Sequence, residues 1–188
     1  MTPTTIIDEA GCRIVLFPNL LGADAPSWAE IKSWPWARDR AAGRVARRET
    51  CAFAVDTTLR YRYSGTNREP VAFPESIAWM LAAVPGTGAN YNFCLANLYR
   101  DHNAALGWHA DDERDLVAGA PIATVSIGAT RMLGLRRIAD LWQTSVELRS
   151  GDALVMLGET QRRWQHCVCR GVAGDGPRVS LTFRAVRR

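Results

Sequence analysis

Pro177-Arg178-Val179-Ser180-Leu181-Thr182-Phe183-Arg184 alternates without a break between polar and apolar side chains after its proline. On a β-strand, successive side chains point to opposite faces. Val179, Leu181 and Phe183 then share one face, and Arg178, Ser180, Thr182 and Arg184 share the other. The apolar face belongs in a core; the polar face either meets solvent or lines a cavity. The same period of two extends back through the C-terminal two-thirds of the chain. Phe93–Tyr99, Ile122–Ile127, Met132–Arg136, Ser145–Leu148, Ala153–Met156 and Gln165–Val168 read as short strands punctuated by glycine. That is the pattern of a sandwich or barrel. Further upstream the pattern is mixed. Arg13–Phe17 reads as a strand, and residues 25–34 as a helix capped by Asp24 or Ser27. Residues 38–48 read as an arginine-rich loop. Residues 74–84 read as an amphipathic helix, with Ile77, Met80, Leu81 and Val84 at helical spacing. The expected fold is mainly β with flanking helices (α+β) around a double-sheet jelly roll, with a flat antiparallel sheet covered by helices as the alternative.

The length of 188 residues suits one domain. Within it, residues 1–90 are expected to supply helices and a substrate-side region, and residues 91–188 the jelly-roll core. With 47% hydrophobic and 22% charged residues, the composition is that of an ordinary globular protein. No uncharged apolar run of ~18 residues is present, so no membrane span is expected. Asp8 and Glu9 interrupt the N-terminus, which does not read as a secretory leader, and a cytoplasmic location follows by default.

The five cysteines, Cys12, Cys51, Cys94, Cys167 and Cys169, are odd in number and form no CxxC pair. Reduced thiols fit better than a disulfide framework. Cys167 and Cys169 would share a strand face, where small apolar packing is the plainer reading; two thiols alone do not make a zinc site. The net charge is +4, and Lys32 is the single lysine among 23 basic residues. An arginine excess of this kind is permissive for nucleic acid without being diagnostic of it.

The segment Gly107-Trp108-His109-Ala110-Asp111-Asp112-Glu113 holds a His-x-Asp pair. Two residues apart on an extended chain, His109 and Asp111 point to the same side and can share an ion. A His-x-Asp alone also describes a surface turn. A third ligand from a distant strand would complete a two-histidine, one-carboxylate set with open coordination positions, the arrangement of oxygen-activating iron(II) sites. Only His102, His109 and His166 exist. His102 sits in the polar run Arg100-Asp101-His102-Asn103 and reads as a solvated turn residue. His166, inside the strand Trp164-Gln165-His166-Cys167-Val168, is the candidate distal ligand.

The polar face of the opening stretch adds to this. Two guanidinium groups in one row, Arg178 and Arg184, suit a dicarboxylate through paired charge-assisted hydrogen bonds. Asn97 and Tyr99 share a face of Phe93-Cys94-Leu95-Ala96-Asn97-Leu98-Tyr99, and an amide and a phenol there can hydrogen-bond a carboxylate or keto oxygen. A solvent-exposed polar face is the competing reading for each strand.

Taken in order, Asn97-Leu98-Tyr99, His109-Ala110-Asp111, His166 and Arg178-Val179-Ser180-Leu181-Thr182-Phe183-Arg184 resemble the AlkB family of dioxygenases. Asp111-Asp112-Glu113, Pro121–Gly128 and Gly151–Met156 resemble its ligand loop and neighbouring strands, and Tyr61-Arg62-Tyr63-Ser64-Gly65 its substrate-side motif. The resemblance runs from about Arg44 to Arg184 and is nearest the DNA-repair branch. The family often has asparagine where this chain has Ser180.

The resemblance implies a double-stranded β-helix, with iron(II) on His109, Asp111 and His166. It implies 2-oxoglutarate held at its distal carboxylate by Arg178, with Asn97, Tyr99, Ser180 and Thr182 along the same face and Arg184 near the keto acid end. Dioxygen would be split with release of carbon dioxide and succinate. An N-methyl group such as that of 1-methyladenine or 3-methylcytosine in DNA would be hydroxylated and lost as formaldehyde. Residues 1–90 would include the nucleotide lid. Methylation of a ring nitrogen breaks Watson–Crick pairing and makes the base cheaper to flip out. Tyr61 and Tyr63 would contact the extruded base, or instead occupy alternate positions of a half-buried strand. Asp112 would contact the exocyclic amine, or instead pair with Arg114. Arginines 44, 47, 48, 60, 62, 162 and 163 are candidates for tracking phosphates. The partner is then alkylated DNA, with RNA as the alternative, no membrane, and a monomeric enzyme. The same chemistry on a protein or small metabolite, and a metal-binding jelly roll without turnover, are the competing functions.

Overall fold

The computed structural model describes residues 2–41, 44–63, 66–85 and 90–188, apart from the side chains of residues 39–41, 44 and 63. In chain order the strands and helices are β1 (Thr4–Glu9), β2 (Cys12–Phe17), α1 (Trp28–Ser33), β3 (Ala37–Ala41), β4 (Arg44–Ala54), β5 (Tyr61–Tyr63), β6 (Thr66–Arg68), β7 (Val71–Ala72), α2 (Glu75–Ala78) and α3 (Met80–Ala83). They continue with β8 (Phe93–Tyr99), β9 (Leu106–His109), β10 (Ile122–Gly128), β11 (Arg131–Arg137), β12 (Gln143–Leu148), β13 (Ala153–Gly158), α4 (Thr160–Arg163), β14 (Trp164–Val168) and β15 (Arg178–Arg184).

Two sheets face each other. The major sheet runs β1-β2-β13-β10-β15-β8-β4-β3, with β7 beside β4; the minor sheet runs β12-β11-β14-β9. Between them lie Ile14, Tyr99, Ile122, Leu154 and Met156 from the major sheet, against Leu133, Leu135, Val146, Leu148 and Val168 from the minor one. The outer face of the major sheet is covered as well. Ile31, Trp34, Ile77, Met80 and Val84, from the helices and their ends, pack on Val125, Val179, Leu181 and Phe183. This is the jelly roll rather than the single covered sheet.

The helix layer explains the alternation of β15. Its apolar face turns to the helices, and its polar face turns into the space between the sheets. All seven of its residues are buried, so the solvent-exposed reading of that face does not hold. β8, also buried throughout, pairs with it in register, with Arg178 opposite Tyr99 and Ser180 opposite Asn97.

Several local expectations change. Among the described residues of the first 90, strand residues outnumber those of α1, α2 and α3, since β1 to β4 extend the major sheet. Residues 38–41 and 44–48 lie on the paired strands β3 and β4 rather than in a loop. Their arginines break the apolar–polar alternation, so the strand period does not show. The helix at 25–34 is shorter, Trp28–Ser33, and Ser27 is its cap, accepting from the Glu30 amide at 3.2 Å. The helix at 74–84 forms two short turns that meet at Trp79. β9 went unread because Leu106-Gly107-Trp108-His109 is too short to show a period.

Candidate metal and cosubstrate site

β9 ends on His109, and β14 lies beside it with His166 directly opposite. The two imidazole centroids are 4.2 Å apart. Just beyond the end of β9, Asp111 turns inward and is buried. Ligand atoms of His109, Asp111 and His166 all lie within 4.8 Å of one another, a spacing one ion spans after small side-chain movement. Among the described residues this is the only such group of three.

His109 and Asp111 are held from behind. His109 Nδ1 sits 2.8 Å from the Gly107 carbonyl. A carbonyl can only accept, so Nδ1 carries a proton and Nε2 is the nitrogen turned to Asp111 Oδ1, 3.9 Å away. Burial, reinforced by His109, pushes His166 down to about 4, so its imidazole is neutral at physiological pH and able to ligate. Burial works against the charge of Asp111, but Arg184 and the two histidines outweigh it and hold the carboxyl below the usual range. Arg184 Nη2 donates to Asp111 Oδ2 at 2.7 Å. The other oxygen, Oδ1, is buried without a hydrogen-bond partner among the described residues. The Asp111 amide donates to Gln161 Oε1 at 2.9 Å, which ties the ligand loop to α4.

The interior face of β15 continues the site. Arg178 is wholly buried, and its Nε donates to Ser126 Oγ at 2.9 Å. Its two Nη atoms have no hydrogen-bond partner among the described residues by geometry; the Tyr99 ring centre lies 5.4 Å from the guanidinium carbon. Ser180 faces Ser126 and Asn97 on neighbouring strands, and Thr182 Oγ1 lies 3.2 Å from Thr124 Oγ1. Asn97, Tyr99, Arg178, Ser180, Thr182 and Arg184 line one recess with His109, Asp111 and His166.

The chemistry of the donors tests whether a metal and a dicarboxylate fit. An unpaired buried acceptor beside two imidazoles suits a divalent cation, and unpaired buried guanidinium donors suit a carboxylate. Leaving such groups unmatched costs several kcal/mol each, roughly, so they mark a place built for a ligand. The residues fit both groups.

The substrate-side residues fall differently. Tyr61 is 1% exposed, packs edge-on to Phe93 at 4.9 Å, and donates to Glu113 Oε2 at 2.9 Å. It is an interior residue rather than one presented for stacking. The Tyr63 side chain lies outside the described residues. Asp112 is exposed on a cleft beside the triad, lined also by Arg114, Arg162 and Arg187. Of the candidate phosphate contacts, Arg48 is buried and unsuited, the Arg44 side chain lies outside the description, and Arg47, Arg60, Arg62, Arg162 and Arg163 are exposed.

Sequence reasoning passed over Glu113, Gln161 and Ser126. Ser126 was findable, since Thr124 and Ser126 are the two polar positions of one face in Ile122-Ala123-Thr124-Val125-Ser126-Ile127. Gln161 gave no signal, because its role depends on α4 folding back over the ligand loop. Burial and the Asp111 charge push Glu113 above the usual carboxylate range.

Known proteins resemble this chain. The 2OG-Fe(II) oxygenase superfamily matches residues 27–184. Alpha-ketoglutarate-dependent dioxygenase alkB homolog 3 of Bos taurus is 32% identical over 198 residues, covering 99% of this chain and 68% of that protein. The Mus musculus counterpart is 30% identical over 93% of this chain and 66% of its own length. DNA oxidative demethylase ALKBH2 of Homo sapiens is 34% identical over 70% of this chain and 54% of its own. The chain thus spans about two thirds or less of these relatives. The solved structure of OsALKBH1 superposes with a TM-score of 0.68 over 97% of this chain and 100% of that one, at 19% identity, a likeness of fold. With a matching family over most of its length and a His-Asp-His group able to hold a metal ion, the chain belongs to the 2OG-Fe(II) oxygenase superfamily and, within it, to the AlkB dioxygenases.

Proposed function

We propose that the protein oxidatively demethylates N-alkylated bases in DNA, such as 1-methyladenine and 3-methylcytosine. The observation that carries the chemistry is the convergence of Asp111 Oδ1 and the two Arg178 Nη atoms, all buried and without a well-formed hydrogen bond among the described residues, on one recess. The substrate class rests on the relatives named for DNA demethylation and on the exposed arginines around the neighbouring cleft.

His109, Asp111 and His166 would hold iron(II). Iron with 2-oxoglutarate and dioxygen supplies the oxidising power, releasing carbon dioxide and succinate. Arg178 would fix the distal carboxylate, steered by its bond to Ser126 and flanked by Tyr99 and Asn97. Ser180 and Thr182 would line the same wall. Arg184 serves twice, as the cation beside the keto acid end and as the clamp on Asp111. Charge supports this pairing. Arg178, Arg184 and Asp111 leave the recess at a net +1, and the +2 of iron with the −2 of 2-oxoglutarate returns it there. Iron alone would raise the recess to +3, a cost in a low-dielectric space that the dicarboxylate offsets.

On the substrate side, Tyr61 would act from below by holding Glu113, while Asp112 would contact the base. Asp112 is exposed at the cleft and available to an exocyclic amine. The deciding experiment incubates oligonucleotides carrying 1-methyladenine or 3-methylcytosine with protein, iron(II), 2-oxoglutarate and ascorbate. Formaldehyde and unmodified base in step with succinate are expected. Succinate without loss of the methyl group would refute the substrate assignment, and no succinate would refute the chemistry.

A further inference from the structure

The outer face of the minor sheet carries a second group of metal-ligating atoms. Cys167 and Cys169 stand two apart on β14 and its end, and their Sγ atoms are 4.0 Å from each other. All five cysteines are free, but Cys12, Cys51 and Cys94 are buried, whereas Cys169 is partly exposed and gives this pair a route to solvent.

The space around the pair is specific. Gly134 lies opposite Cys167 on β11, and a Cβ there would come within 2.7 Å of Cys167 Sγ and 2.9 Å of the Trp108 ring. The absence of that side chain lets the thiol and the indole lie side by side. Arg136 follows on the same face of β11, 4.5 Å over the Trp108 ring. A cation is thus close enough to offset the charge that two thiolates leave around one ion.

The sulfur separation selects the chemistry. A disulfide needs sulfurs about 2.05 Å apart, which would demand a large closure against the strand register. One ion with sulfur bonds of about 2.3 Å at a tetrahedral angle holds its thiolates ~3.8 Å apart, almost the observed spacing. Soft thiolates prefer Cu(I) or d10 divalent ions over iron(II). We propose that Cys167 and Cys169 form a two-thiolate site for one thiophilic d10 divalent cation such as Cd(II), with solvent completing its tetrahedral shell.

The site adjoins the triad through the chain itself. Cys167 follows His166 and Trp108 precedes His109. An ion here sits behind both histidines, on the opposite face of the sheet from the recess.

Anaerobic titration with Cd(II), using a non-thiol reductant, tests this. The full chain should develop an ultraviolet thiolate-to-cadmium band that saturates at one equivalent. Cys169→Ser should lose the band, and His166→Ala should keep it, which separates this site from the triad. No band in the wild type, or an undiminished band in Cys169→Ser, would overturn the assignment. Cadmium NMR of the wild type reads the ligand set without any substitution. A shift for two sulfur ligands supports the site, and one for nitrogen and oxygen alone refutes it.

Discussion

Two residues decide how the recess answers to pH and to charge. His166 has its pKa lowered by burial from 6.5 to about 4. Between those values the unfolded chain binds a proton that the folded one refuses. Stability of the metal-free protein is therefore complete above pH ~6.5 and is lost as pH falls towards about 4, by roughly 3 kcal/mol at most. Urea midpoints of chelator-treated protein at pH 7 and pH 5 should differ for the wild type, and much less for His166→Gln. Equal pH dependence in both would show that His166 is not the group responsible. Arg184 carries the opposite burden. Its pairing with Asp111 at 2.7 Å is buried on both sides, and Arg184→Met leaves a lone buried carboxylate. A loss of about 3–5 kcal/mol in urea unfolding of the metal-free protein is expected. A variant as stable as wild type would mean that Asp111 simply takes up a proton or meets water.

At the scale of elements, strand joints matter more than strand interiors. Gly158 closes β13 at φ +63°, and a Cβ there would lie 2.1 Å from the Gly11 carbonyl between β1 and β2. That neighbour is backbone and cannot swing aside. Gly158→Ala should cost roughly 1–3 kcal/mol, read as a lower urea midpoint. Since Gly158 also borders α4, which holds Asp111 through Gln161, weaker iron binding should accompany it. Unchanged stability and iron affinity would show that the turn accommodates the methyl group.

The same elements show what the sequence could reveal. β8 and β15 were legible to the residue, because alternation persists when one face meets a helix layer and the other a polar recess. His166 was legible because only three histidines exist. The pairing of β3 with β4 was not, since arginines there break the apolar–polar alternation that marks a strand. The burial of Tyr61 was not either. Nothing in Tyr61-Arg62-Tyr63 says that Glu113, distant in sequence, will take the phenol inward.

For the molecule as a whole, the arrangement of charge makes a further demand. Two neighbouring clefts share Arg114 and Arg187. One reaches Asp111 and Arg184, and the other carries Arg60 and Arg188. Arginine thus rims the approach to the triad, interleaved with carboxylates such as Asp112, Glu113, Asp115 and Glu159, so the rim offers separate cationic contacts rather than a net positive field. If a nucleic-acid strand lies along this rim, each phosphate it meets releases a counterion. The logarithm of affinity then falls with the logarithm of salt by ~0.7 per contact on a single strand. Arg114→Ala with Arg187→Ala should flatten that slope by about two contacts' worth and weaken methylated and unmethylated oligonucleotides alike. 2-Oxoglutarate turnover without DNA should stay as in wild type, because neither arginine lines the recess. A slope unchanged in the double variant would move the nucleic-acid path to another face, with the metal and 2-oxoglutarate assignments untouched.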